Sequence, residues 1–264
     1  DITFFSEFNV IREGRASSTT PEQAYIRWDN LAHQSWLNIK IGRTFMPFGE
    51  DYIEWNSINR RFASPTVAYT WALDEGFMLF GDIIADKLSY AMSVQNGNAG
   101  FNYDDNVNKT FAGKLMANPA PWFYASASYM NIGKIGQNTA KGNQEWWLSG
   151  FHIASLSATN NFVAGWAAEV DAKVKLEPGE LMANFGYLRT LDGAGHHNDR
   201  YIKWYTAQAI GYVPTTQKKA YVGARYSIVG TFNSNLGYRF AGTEIAGTAT
   251  TNPYGEFGAT QRDV

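Results

Sequence analysis

Apolar and polar positions alternate with a period of two along most of the chain. Between Phe162 and Leu176, one side carries Phe162, Ala164, Trp166, Ala168, Val170, Ala172, Val174 and Leu176. The other carries Val163, Gly165, Ala167, Glu169, Asp171, Lys173 and Lys175. A helix would scatter those charges around its axis, whereas a strand collects them on one face. Leu88, Tyr90, Met92 and Val94 alternate in the same way with Ser89, Ala91, Ser93 and Gln95. So do the segments 37–42 and 220–228. Weaker runs fit at 2–11, 22–31, 75–84, 106–118, 121–131, 179–190 and 200–213, which predicts about 11 strands. Most of these are roughly 9 to 13 residues long, the length a tilted membrane strand needs. Soluble strands have a mode near 5 to 6 residues.

The connections alternate too. Short turns are expected at 32–34, 85–86, 118–121, 177–179 and 214–216. Long polar segments are expected at 12–21, 44–74, 96–106, 132–161, 191–199 and 229–262. Tight turns on one side and long loops on the other are the outer-membrane barrel pattern. Residues 144–155 look strand-like but break the up-down parity, so they are assigned to the outer loop 132–161. The expected fold is all-β: an antiparallel transmembrane β-barrel, one domain over 1–264 that stops C-terminally short of closure. The closed barrel would have about 12 to 18 strands, with 16 the first choice, because single-chain bacterial barrels have even strand numbers.

Composition narrows the class further. Aromatic residues make up 16% and charged residues only 17% of the 264 residues, and the net charge is -2. Typical domains carry about 25% charge, and a chain this aromatic and this weakly charged is not disordered. Cysteine is absent, which excludes a disulfide scaffold, thiol catalysis and covalent haem attachment through this chain. No basic block points to nucleic acid. No run reaches the ~18 apolar residues of a membrane helix, a test that does not see membrane strands.

The segment Ile39-Lys40-Ile41-Gly42-Arg43-Thr44-Phe45-Met46-Pro47-Phe48-Gly49 resembles bacterial porins of the phosphate-selective and related types. There, a strand ending in an Ile-Gly-Arg-like tripeptide leads through a Pro-Phe-Gly turn into a long loop. Gly223–Ser227 resembles later strands of the same proteins. The resemblance implies an outer-membrane, water-filled channel for small hydrophilic solutes or ions. It also implies a long loop, here 44–74, that folds inward and narrows the pore.

Candidate pore-lining residues follow from the alternation. Arg27, Asp29, Lys40, Asp82, Lys114, Glu169, Asp171, Lys173 and Arg225 are expected to face away from lipid, together with Glu7, Lys203 and Arg239. A charge facing lipid near the midplane costs ~2–4 kcal/mol for Arg or Lys. Within loop 44–74, Arg60 and Arg61 are the candidates for anion preference, since rings of Arg favour anions and rings of Asp or Glu favour cations. Glu50, Asp51 and Glu54 in the same loop oppose them, and an ordinary salt bridge among these charges is the blander reading. Tyr25, Trp28, Trp36, Trp71, Phe77, Trp122, Phe123, Tyr124, Tyr187, Tyr201, Trp204 and Tyr212 are read as interfacial girdles.

His196-His197 and the Asn102–Asn106 cluster lack metal-site spacing and are read as plain loops. No metal or cofactor is expected. The Gly-x-Ser-x-Gly, His-Glu-x-x-His and Walker A patterns are absent, so no enzyme is expected. The expected partners are outer-membrane lipid and small solutes, with either a homo-oligomer such as a trimer or a partner protein in the lumen. Two alternatives stay open. One is a barrel that sheathes a partner such as a multihaem cytochrome, and the other is a soluble carbohydrate-binding β-sandwich.

Overall fold

The computed structural model describes residues 1–13, 16–50, 73–97, 107, 109–131, 162–192, 200–213, 221–233, 237–240 and 260–263. Their strands form one antiparallel sheet in which strands pair with their neighbours in sequence from the first to the twelfth. The long strands are β1 (Ile2–Glu13), β2 (Ala16–Trp28), β3 (Asn38–Phe45), β4 (Leu73–Ile84), β5 (Leu88–Gln95) and β6 (Thr110–Ala120). They continue as β7 (Phe123–Asn131), β8 (Phe162–Leu176), β9 (Gly179–Asp192), β10 (Arg200–Tyr212) and β11 (Tyr221–Asn233). Two short strands, β12 (Gly237–Phe240) and β13 (Thr260–Asp263), share the remaining edge of β11. Among the described residues no pairing joins β1 to that edge, so the sheet is open.

The β2–β3 connection contains a single 3-10 turn, Leu31–His33, and is fastened by one buried amide. Asn38 accepts the Asn30 backbone N–H at 2.8 Å, and its own amide donates to the Ser35 and Phe80 carbonyls at 2.9 and 3.0 Å. In the tight β4–β5 turn, Asp86 takes a left-handed conformation at φ 59°, which Asp tolerates better than most residues.

Three expected loop boundaries are corrected. Residues 12–21 do not form a long loop, because β1 and β2 pair through Glu13 and Ala16 and are joined by residues 14–15. The Ser-Ser-Thr-Thr-Pro run reads locally as a loop, but threonine suits a strand. Pro21 pairs with Phe8 beside a register shift, where a missing N–H is tolerated. The loop expected at 44–74 is shorter, since Thr44 and Phe45 end β3 and Leu73 and Asp74 begin β4. The segment expected as loop from 229 onward holds the end of β11 as well as β12 and β13. The outer loop 132–161, residues 51–72, Asn102–Asn106 and His196-His197 lie outside the described residues.

Candidate functional site

The two faces of the sheet have inverted polarity. On one face the side chains are buried and mostly polar: Ser93, Gln95, Lys114, Ser126, Ser128, Glu169, Asp171, Asn184, Thr206, Gln208 and Arg225. Their registers lie side by side, as in the row Ala91, Lys114, Ser128, Glu169, Gly186 and Trp204. The opposite face exposes large apolar groups, including Ile41, Phe77, Met92, Val94, Phe111, Leu115, Val170, Phe185, Tyr205 and Val222. Soluble proteins rarely leave an apolar patch of this extent uncovered.

Charge on the apolar face is confined to one end. Among the described side chains of β2 to β11 it carries Arg43, Glu75, Arg189 and Lys203. All four stand near the end of the sheet where β3 finishes and β4 begins. Arg43 and Glu75 form a salt bridge there at 2.6 Å. Lys203 is a correction: it shares a face with exposed Tyr205 rather than with buried Trp204 and Thr206.

The chain after β3 packs onto the polar face. Pro47 cannot extend a strand ladder because it has no N–H, and the Phe48 N–H closes a short turn on the Met46 carbonyl at 2.9 Å. Gly49 has φ +63°, and a Cβ there would sit 2.6 Å from Glu169 Oε1. Its N–H donates to Ser128 Oγ at 3.0 Å. Lys114 Nζ donates both to the Gly49 carbonyl and to the Glu50 carboxylate, and the Tyr124 hydroxyl donates to the same carboxylate. Ser126 Oγ lies 3.4 Å from Glu50 Oε1 and 2.9 Å from Asp171 Oδ2. Met46, Phe48 and Glu50 are all buried. A segment from β3 is thus tied to β6 and β7 by a desolvated ion pair and its hydrogen bonds, and Gly49 lies against Glu169 of β8.

The adjoining wall is equally specific. Trp204 is fully buried, and its indole N–H donates to Glu169 Oε2 at 2.6 Å. The ring lies directly over Gly186 on the neighbouring strand, where a Cβ would stand 1.8 Å from it. Only glycine leaves that space.

A second group occupies the same face on β1 to β4. Lys40 Nζ lies 4.8 Å from the Tyr25 ring centroid and 5.2 Å from that of Phe80. Arg27 is 5.0 Å from the Phe80 ring and forms a 2.7 Å salt bridge with Asp29. Tyr25 stacks on Phe5 at 5.1 Å, and Gln23 donates to Glu7 at 2.9 Å.

The structure therefore brings Glu50, Lys114, Glu169 and Asp171 into one patch. Lys173 shares their face on β8, and buried Arg225 pairs in register with Gln208 on β10. Asp82, paired with Ser89, is exposed near the turn end of the same face. Asp51, Glu54, Arg60 and Arg61, and the side chain of Arg239, lie outside the described residues.

Three of the expected girdle aromatics turn inward instead. Tyr25, Tyr124 and Trp204 each have a partner on the polar face. Trp28, Trp36, Phe77 and Trp122 are exposed. On the apolar face Tyr129, Trp166 and Tyr187 form a cluster, with centroids 6.3 and 5.0 Å apart along the series. Trp122 and Phe123 lie 5.8 Å apart at the opposite end. Trp166 and Val174, the partner of Phe123, are separated along β8 by about 27 Å of strand. At the ~35–45° tilt of a membrane-barrel strand that length would span about 19–22 Å of height, somewhat less than the ~25 Å apolar band.

Sequence reasoning missed Ser126, Ser128, Tyr124 and Trp204 as partners of the acidic groups. The alternation of Ser126 and Ser128 with Ala127 and Tyr129 was the available signal. Chemically, the patch is a dense, buried network of carboxylates, hydroxyls, amides and a few cations. Among the described residues no group of three or more His, Cys, Asp or Glu is placed to hold a metal ion. Comparison of the sequence with known protein families and with curated proteins finds no match.

Proposed function

We propose that this chain forms the wall of a porin-like β-barrel in a bacterial outer membrane, with a water-filled lumen for passive diffusion of small hydrophilic solutes or ions. One observation carries this reading: the sheet buries its polar face and exposes an apolar one that, among the described side chains of β2 to β11, stays uncharged between its two aromatic ends. Lipid is the solvent that suits such an exterior, and water or polar solutes suit such an interior. Closure into a barrel of about 12 to 18 strands, 16 by preference, would satisfy the open edges, since an unpaired backbone edge is not tolerated in hydrocarbon. The residues proposed to line the lumen are Arg27, Lys40 and Lys173, while Lys114, Glu169, Asp171 and Arg225 on the same face are buried in the network beside it. The Met46–Glu50 segment begins an inward-folded constriction.

Purified protein reconstituted in a planar lipid bilayer should produce discrete steps of ionic current that scale with salt concentration. Inserted, folded protein that never conducts would overturn the open channel and leave a partner-filled sheath as the better account.

A further inference from the structure

Among the described residues the apolar face has a depression of about 520 Å³, lined by Trp36, Ile83, Tyr90 and Met92. It lies where the β2–β3 turn meets the β4–β5 hairpin. Its volume falls within the ~300–1,000 Å³ range of ligand pockets, whereas the rest of the face is read as a plain lipid boundary.

The polar atoms of its lining are already occupied. The Tyr90 hydroxyl donates to the Trp36 carbonyl at 2.8 Å, and the Trp36 indole N–H donates to Gln34 Oε1 at 3.1 Å. An occupant that needed a side-chain donor would find none free on these groups, which favours hydrocarbon. Trp36, Ile83 and Met92 remain about half exposed, at 47%, 55% and 51%. In a membrane a void of this kind is filled rather than left empty, because its lining would lose contacts on one side. At the tip of the same hairpin stands Lys87, exposed, beside Asp86. A cation in the turn of the hairpin that lines the groove complements a phosphate attached to an acyl chain.

From these features, and resting on the membrane reading above, we infer that the depression is a binding site for one glycerophospholipid. One acyl chain lies against Trp36, Ile83, Tyr90 and Met92, and the phosphate lies at Lys87. The lipid comes from the leaflet that borders the short turns.

The test uses the chain reconstituted in palmitoyl-oleoyl phosphatidylglycerol vesicles, extracted in mild detergent and weighed by native mass spectrometry. Wild type should retain one phospholipid. Ile83→Trp and Met92→Trp, which fill the groove from exposed positions, should lower the retained fraction about tenfold. Lys87→Ala should lower it about two- to fivefold. Equal retention in all four proteins would overturn the proposal. A change of oligomeric mass with unchanged lipid would also overturn it and make the groove a protein contact. Failure of the membrane reading looks different: the chain would not float with the vesicles at all.

Discussion

Val170→Arg is expected to destabilise the folded protein by about 2–4 kcal/mol in a bilayer, the cost of an arginine near the midplane on the lipid side of a barrel. Val170 is 51% exposed, and its cross-strand partners are Ala127 and Phe185. On an ordinary wet surface the same change would fall within about 0.5 kcal/mol, since it removes no buried contact of consequence. The two environments therefore predict clearly different outcomes for one substitution. Denaturant titration of protein folded into vesicles measures it. A change below about 0.5 kcal/mol would place Val170 in water.

Lys114→Met should cost about 3–5 kcal/mol, because it strands the Glu50 carboxylate in a desolvated site. The side chains of Lys114 and Glu50 are only 2% and 8% exposed. Glu50 would keep the Tyr124 and Ser126 contacts but lose its counter-charge. The Gly49 carbonyl would lose a donor at the same time. The Met46–Glu50 segment should then leave the wall, which hydrogen exchange at Gly49 would register as lost protection. Adding Glu50→Gln should restore part of the stability, because removing both charges is far cheaper than removing one. If the double variant is no more stable than Lys114→Met, the two groups do not act as a pair.

The strands were legible where one side of the alternation was apolar and the other charged or small. The 88–95 and 162–176 segments coincide with β5 and β8 within a residue, because Ser93, Gln95, Glu169 and Asp171 contrast sharply with Met92, Val94 and Val170. The 12–21 segment was misread because serine, threonine and proline carry turn chemistry that cross-strand pairing with β1 overrides. Tyr25, Tyr124 and Trp204 were placed at the interface because an amphipathic aromatic suits a headgroup and a buried hydrogen-bond partner equally well. Only the contacts decide, and those join residues far apart in sequence. Tyr124 meets Glu50 across 74 positions, and Gly49 meets Ser128 across 79. Local pattern carries no record of such pairings. Lys203 was misplaced for a related reason. Tyr201 and Tyr205 on one side and Ile202 and Trp204 on the other leave β10 apolar on both faces until Thr206 and Gln208 break the tie.

The central claim is that one face of this sheet meets lipid and the other meets water. A cysteine scan from Trp166 to Leu176 along β8 tests it most directly, since the chain has no cysteine of its own. Each variant is spin-labelled and placed in vesicles, and its collisions with oxygen and with a water-soluble nickel chelate are measured. The account predicts a period of two: labels at 166, 168, 170, 172 and 174 reached by oxygen, and labels at 173 and 175 reached by the chelate, with 171 shielded from both by the buried network around it. Equal access to both reagents at adjacent positions throughout the scan would contradict it.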